Sequence, residues 1–361
     1  MEQAISKNEN IDDTVLDNAL RPKSWKEFIG QNAVKRALQI LLQSAQKQHK
    51  ACDHILFSGP SGVGKTTLAY LIARELGAKI TVTSGPAIQK SGDVAALLSN
   101  LEQGEILFID EAHRLNKHIE EMLYPAMESR TLHLIIGKGI SARSLELKLP
   151  SFTLIAATTR PSLLSNPLRN RFGSINHLDY YETNHMEQIL KRSSDILHIA
   201  IDSDAISALA YASRATPRIA NRLLKRTWDL AIVENKPTIS FPVVKESLEI
   251  LNIDSIGLEN IDRKLLHVLV HTFNGGPVGV QSLAATLNEE RETIESIHEP
   301  YLIRLGLIER TGRGRIATPE TYRYLNMNPS AQVPARFDSR NKSGKSQSKS
   351  GMPAQSGKTK P

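Results

Sequence analysis

Gly59-Pro60-Ser61-Gly62-Val63-Gly64-Lys65-Thr66 fits the pattern G-x-x-x-x-G-K-[ST] of the phosphate-binding P-loop. The apolar stretch Ile55-Leu56-Phe57 precedes it and reads as a buried strand. Thr67 to Leu76 reads as a helix, with Leu68, Leu71, Ile72 and Leu76 on one face and Gly77 as the stop. Strand, glycine loop and helix is the context the motif needs. Glycines let backbone N–H groups turn inward around a phosphate chain, and the helix N-terminus adds partial positive charge. Lys65 then reaches the β- and γ-phosphates, and the Thr66 hydroxyl ligates Mg²⁺.

A chain of 361 residues has room for two or three domains and a sizeable core. Its formal charge is +7, but the location of that charge matters more. Residues 331–361 carry seven Lys and Arg against Asp338 alone, a net of +6, which leaves the preceding 330 residues near +1. The basic excess is therefore a tail property. That tail is rich in Ser, Gly, Lys and Gln and is expected to be disordered. The single cysteine, Cys52, excludes a disulfide framework and a Cys-based zinc site. The N-terminus carries Glu2, Glu9, Asp12 and Asp13 rather than an apolar leader, and no run approaches 18 apolar residues. A cytoplasmic protein without a membrane span is expected.

Ile106-Leu107-Phe108-Ile109-Asp110-Glu111 is a second strong element: four apolar residues, then two acids. That is a buried parallel strand ending in a polar mouth, where open α/β sheets bind ligands. Asp110 is expected near Mg²⁺, and Glu111 is the candidate base that polarises the attacking water. Asp110-Glu111-Ala112-His113 also spells the box of one helicase class. Those helicases use two tandem nucleotide-binding-type domains and a late arginine-rich motif, and this chain has room for one such core. Phe152 to Thr159 is a further buried strand ending in hydroxyls. A threonine there suits a contact to the γ-phosphate or to water, or caps the next turn. Arg171, before Phe172-Gly173, reads as an arginine finger or as a surface arginine.

Together these residues resemble the AAA+ ATPase family. Gly59–Thr66 matches its Walker A, Ile106–Glu111 its Walker B, Thr159 its sensor 1, Arg171 its arginine finger, and Arg218 in Thr216-Pro217-Arg218 its sensor 2. The resemblance implies a P-loop core with a parallel sheet and helices on both faces, a helical lid, ATP and Mg²⁺ as cofactors, and a ring in which the finger acts on a neighbour's ATP. Within that family the closer resemblance is to the RuvB branch-migration motors, over roughly residues 14–328. It is carried by Leu20-Arg21-Pro22, Phe28-Ile29-Gly30-Gln31, Gly137-Lys138-Gly139, Ala142-Arg143-Ser144 and Arg310 to Arg315. It implies a catalytic set of Lys65, Asp110, Glu111, Thr159 and Arg171, with Thr66 and Asp110 on the metal. The implied nucleotide contacts are Leu20, Arg21, Gly62, Val63, Gly64, Lys65, Thr66, Thr67, Glu128, Ser129, Arg130, Arg171, Tyr181 and Arg218.

Residues 131–150 read as a β-hairpin inserted between the Walker B and sensor strands. Leu132, Leu134 and Ile136 alternate on one arm and Leu145, Leu147 and Leu149 on the other. It is either an ordinary sheet-edge hairpin or, by the resemblance, the arm that docks on RuvA, with Ile140 near its tip. Residues 184–254 read as helices only. Thr216-Pro217 marks a helix start, with Arg218 in a first turn where the helix dipole disfavours a cation. The order of elements over 257–330 suits a winged helix, with Pro300 expected to kink or restart its recognition helix. Arg310, Arg313 and Arg315 among the glycines of the wing suggest phosphate contacts, and Arg291 is a weaker DNA candidate. A winged helix used only for protein contacts is the alternative.

The chain is thus expected to divide into a large ATPase domain over 1–183, a lid over 184–254, a winged helix over 257–330 and a tail over 331–361. The expected function is that of a hexameric, Mg-ATP-driven translocase that pulls duplex DNA and drives branch migration of Holliday junctions, with RuvA and the resolvase RuvC in the larger complex. Two alternatives stand beside it: an ATP-switched winged-helix regulator, distinguished by slow hydrolysis that DNA does not stimulate, and a clamp-loader or initiator-type ATPase, which usually lacks the 137–144 hairpin text.

Overall fold

The computed structural model describes residues 15–136 and 143–327. The basic tail, the hairpin tip with Gly137-Lys138-Gly139, Ile140 and Ala142, and the acidic N-terminus lie outside them. The chain divides into two compact units, Met1–Leu258 and Glu259–Pro361.

The first unit is built on five parallel strands, in the spatial order β2 (Ile80–Ser84), β3 (Ile106–Asp110), β6 (Thr153–Thr158), β1 (Ile55–Ser58) and β7 (Ser174–His177). Strand alternation sorts the core. Ile55 and Phe57, Ile106 and Phe108, Ile155 and Ala157 face one layer. Leu56, Leu107, Ile109, Leu154 and Ala156 face the other. Helix α1 (Asn32–Lys47) and α2 (Lys65–Leu76) cover the first face, and α3 (Ser91–Ser99) and α4 (Lys117–Glu128) the second. Phe57 and Phe108 are fully buried, and truncating either to Ala would cost about 3–5 kcal/mol. Cys52 is buried just before β1, and its thiol is pushed up to about 11 by burial and by Asp53, which leaves it a packing residue.

Helix α2 begins at Lys65 and ends at Leu76, and the next residue, Gly77, has a left-handed backbone (φ 62°) that turns its N–H back to the carbonyls of Ala73 and Arg74. Strands β4 (Thr131–Ile136) and β5 (Arg143–Lys148) pair antiparallel as a separate two-stranded sheet. Leu132 opposes Leu147 and Leu134 opposes Leu145. Leu132 and Leu149 are buried against the α4 layer, whereas Leu145 is exposed. The base of the arm is thus rooted in the core.

The helical part of this unit comprises α5 (Thr183–Leu197), α6 (Ser203–Ala212), α7 (Pro217–Val233) and α8 (Phe241–Ile250). Leu190, Leu209, Leu223 and Leu224 from it join the first core layer. Pro217 occupies the first turn of α7, where its missing N–H costs nothing. Thr216 does not cap that helix through its side chain; its hydroxyl donates to the Ser213 carbonyl instead (3.2 Å).

The second unit opens with α9 (Asn260–His267), which runs into a π-helical stretch over Val268–Thr272, and continues with α10 (Val280–Leu287). A helical segment from Arg291 widens into a π stretch over Ile294–His298 and resumes as α-helix over Glu299–Arg304, with Pro300 in its first turn. The proline lacks an N–H, and the wide turn before it absorbs the mismatch, so the helix restarts rather than ends. Strands β8 (Ile308–Thr311) and β9 (Gly314–Ala317) form an antiparallel wing with Arg310 directly opposite Arg315. Gly314 has φ 134°, and a Cβ there would lie 2.4 Å from the Val278 carbonyl oxygen, so the wing's return strand needs glycine.

Candidate nucleotide site and arginine cluster

The P-loop wraps a cavity of about 290 Å³ at the carboxyl end of the sheet. Gly59 has φ 138°, and a Cβ there would sit 2.2 Å from the Leu178 carbonyl oxygen. Only glycine can make that turn. Gly64 has φ 101°, and a Cβ there would lie 3.2 Å from the Phe28 ring. The N-terminal arm contributes Leu20, Arg21, Pro22, Phe28 and Ile29 to the cavity lining. Arg21 stacks on the Tyr70 ring at 4.1 Å. The Leu20 carbonyl accepts from Arg192 of α5 at 2.8 Å. Tyr181 is buried and donates to the Val63 carbonyl at 3.2 Å; burial raises its phenol pKa, so it stays protonated. Thr67 also lines the cavity.

Lys65 is buried, and its ammonium donates to the carbonyls of Gly59 (2.9 Å) and Pro60 (2.7 Å). Burial lowers its pKa, and Glu111 and Asp110 partly restore it. A polyanion entering the loop would supply the counter-charge that burial makes it need. Thr66 Oγ1 donates to Asp110 Oδ2 at 3.3 Å. A hydroxyl and a carboxylate are hard oxygen donors of the kind Mg²⁺ takes alongside phosphate and water. The donor chemistry at this point therefore fits that ion.

Sheet order explains why the remaining polar groups meet. Strand β6 lies between β3 and β1, so the threonines at its end fall between the acid pair and the P-loop. Glu111 has a left-handed backbone (φ 47°), unfavourable for a non-glycine residue, and its N–H is held by Asp110 Oδ1 at 2.9 Å. Its Oε2 accepts from Thr159 Oγ1 at 3.2 Å and lies 3.1 Å from His113 Nδ1. His113 in turn touches Thr158 Oγ1 at 3.1 Å. The His113 hydrogen bond is the main cause that holds the Glu111 carboxyl below its ordinary range, against the opposing effect of burial. Glu111 is thus an ionised carboxylate held by two polar partners. His113 was legible only as the fourth letter of a box.

Arg218, in the first turn of α7, lines the same cavity and pairs with Asp17 of the helical turn over 15–20. The acid relieves the dipole conflict that the sequence exposed. No pattern in the sequence singled out Asp17.

Glu128, Arg130 and Arg171 do not line the P-loop cavity. They line a second one of about 330 Å³ with Cys52, His54 and Phe152. Arg171 pairs with Glu128 (3.1 Å), donates to the Pro167 carbonyl (2.7 Å) and stacks on Tyr124 (4.4 Å). Ser129 caps the end of α4, its hydroxyl on the Pro125 carbonyl at 3.0 Å. The expected nucleotide contacts of one chain therefore form two separate groups.

In the second unit Arg291, Arg310 and Arg315 come together. All three approach Glu295 Oε1, at 3.3, 3.5 and 3.2 Å. Arg315 differs from the expectation of a free wing cation. Its side chain is 8% exposed and also donates to Glu299 at 3.0 and 2.8 Å. The expectation counted charges and could not see that β9 turns this residue toward the helix. Arg291 and Arg310 are 56% and 58% exposed.

A P-loop, an acid pair and a threonine at neighbouring strand ends, under a helical lid that contributes an arginine, define an AAA+ ATPase. Family comparison is more specific. The model for the RuvB P-loop domain matches residues 20–178, that for the RuvB AAA lid domain 181–254, and that for the RuvB C-terminal winged helix 255–326. A curated relative from Dehalococcoides mccartyi (strain CBDB1), described as Holliday junction branch migration complex subunit RuvB, is 48% identical over 343 residues, 95% of this chain and 97% of its own. The solved structure of the Thermotoga maritima RuvB Holliday junction branch migration motor superposes with a TM-score of 0.79 at 45% identity, covering 88% of this chain and all of that one. A single-residue variant of the same protein matches at 0.79 and 44%, covering 87% and 99%. The chain belongs to the RuvB family, the ATP-driven branch-migration motors of Holliday junctions.

Proposed function

We propose that this chain works as a ring, six copies around duplex DNA, in which each ATP is bound by one subunit and completed by the next. The observation that carries this reading is the separation of Glu128, Arg130 and Arg171 from the P-loop cavity of their own chain. A nucleotide in one cavity gains the second group from a neighbour.

In this reading the glycine-loop N–H groups and Lys65 bind the β/γ-phosphates, and Leu20, Arg21 and Tyr181 border the base and ribose. Thr66 and Asp110 hold Mg²⁺, which supplies charge neutralisation across the phosphates when bound. Glu111 takes the proton of the attacking water, and Thr159 keeps that carboxylate oriented. Arg218 senses the γ-phosphate from the lid, and Arg171 of the neighbour neutralises charge on the transferring phosphoryl group. Loss of the γ-phosphate frees Arg218 and lets the lid rotate against the P-loop domain.

The exposed Arg291 and Arg310 contact DNA phosphates, without a base-reading pattern, and Arg315, paired with Glu299, adds its charge from behind them. The hairpin over 131–150 docks on RuvA, the resolvase RuvC joins the larger complex, and the assembly acts in the cytoplasm; among the described residues no helix is long and apolar enough to cross a membrane. The test is a branch-migration assay on a synthetic four-way junction. ATP-dependent conversion to duplex products that requires RuvA is expected. Conversion that is equal with and without RuvA would refute the docking assignment, and particles smaller than a closed ring during turnover would refute the shared site.

A further inference from the structure

The wing carries an electrostatic contradiction that the fold resolves in an unusual place. Arg310 and Arg315 are direct cross-strand partners, and like charges so placed repel. Arg291 adds a third positive charge, four residues before Glu295. Two carboxylates on the recognition helix, Glu295 and Glu299, answer the three arginines. The two carboxylates are not equivalent. Glu299 is 3% exposed and takes both Nε and Nη2 of Arg315 in a closed, buried fork. Glu295 keeps 16% of its side chain accessible, and one of its oxygens is shared by all three guanidinium groups. Burial pushes the Glu295 pKa up, but hydrogen bonds and charge from Arg291 and Arg315 pull it further down, so the group is a carboxylate at neutral pH.

We propose that Glu295 is a built-in competitor of the DNA backbone: it pairs with the exposed guanidinium groups of Arg291 and Arg310, which a phosphate oxygen takes from it when duplex DNA binds. The inference rests on the reading that this face contacts DNA. Arg291 and Arg310 are more than half exposed and can swing to a phosphate from solvent. Arg315 stays in its buried fork with Glu299 and remains beside Glu295, so that carboxylate is not orphaned when the other two leave. The exchange therefore leaves the core of the wing intact. Its consequence is a weakened grip on the backbone, which suits a motor that must release each phosphate it holds.

The sign of one substitution decides. Glu295→Gln keeps the shape and removes the charge. Full-length protein is titrated against a fluorescent duplex from 50 to 300 mM salt, on the order of the range where phosphate contacts are lost. We expect about 3- to 10-fold tighter binding and a salt slope steeper by up to about one counterion. Unchanged or weaker binding would mean that Glu295 organises the arginines rather than competes, and would overturn the proposal. Glu295→Ala removes the same charge and replaces the Gln variant if that variant melts early. Arg310→Ala in the same titration separates the two readings. If it binds like the parent, this face is not the DNA contact and both fall. If it weakens binding while Glu295→Gln does not tighten it, the competitor alone falls.

Discussion

Asp17 Oδ2 accepts from both Nε and Nη2 of Arg218, at 3.2 and 3.1 Å, at the mouth of the nucleotide cavity. The lid arginine is thus paired with a carboxylate of its own chain. Under the proposed role of Arg218, ATP must take it from Asp17. The arginine is 64% exposed, so the pair is a solvent-screened one worth no more than about 1 kcal/mol. Asp17→Asn should therefore tighten ATP binding by up to about fivefold and leave ADP affinity nearly unchanged. Equilibrium binding of fluorescent analogues of both nucleotides checks this. An equal shift for ATP and ADP would mean that Arg218 does not distinguish the γ-phosphate.

Lys65 and Glu111 should separate binding from chemistry. Lys65 is buried and held by two loop carbonyls, so Lys65→Ala removes the charge that meets the β/γ-phosphates. ATP affinity should fall steeply. Glu111→Gln keeps the side chain's shape beside Thr159 but removes the base, so ATP should bind while turnover drops by about 10² or more. Single-turnover hydrolysis after verified binding is the measurement. Near-normal turnover in Glu111→Gln would remove Glu111 from the mechanism.

His54 gives the stability of the ATPase unit a pH dependence. Its Nδ1 accepts the Leu154 N–H at 2.8 Å, so Nε2 carries the proton and donates to the Met127 carbonyl at 3.1 Å. It ties β1, β6 and the end of α4 together in its neutral form. Burial is the main cause that lowers its pKa. The unfolded chain therefore binds the proton first, and the stabilisation is complete above about pH 6.5 and lost as pH falls through the lower folded value. Melting temperatures at pH 7.5 and 5.5 should differ less in His54→Gln than in the parent. Equal differences would mean that His54 does not titrate on unfolding.

Gly59 to Thr66 and Ile106 to Glu111 were legible because their chemistry lies in one unbroken stretch of chain. A strand's apolar run and the turn after it fix backbone and side-chain direction together. The winged helix was legible from element order, and even Pro300 announced its interruption. What the sequence hid depends on distant segments meeting. Asp17 reaches Arg218 across two hundred residues, and His113 meets Thr158 only because β6 lies beside β3. Arg315 looked like its neighbours Arg310 and Arg313, yet it is closed in a buried fork with Glu299 while Arg310, its partner across the ribbon, stays more than half exposed. Counting arginines in a wing cannot say which of them is already taken.

Arg171 carries the sharpest test of the ring. It lines a cavity separate from that of its own P-loop, and it is parked on Glu128, the Pro167 carbonyl and the Tyr124 ring. If it acts on a neighbour's ATP, its own subunit's nucleotide site is complete without it. Arg171→Ala should then bind ATP normally and lose on the order of 10³-fold or more in turnover. Mixing it with Lys65→Ala protein should restore part of the activity, because the Lys65→Ala subunit lends an intact arginine to an intact P-loop next door. Restored turnover should rise and fall with the mixing ratio and vanish at both ends. Subunit exchange must first be demonstrated with fluorescently labelled chains, so that mixed rings are known to form. With exchange established, a flat mixing curve would place the arginine in cis and sink the shared-site reading.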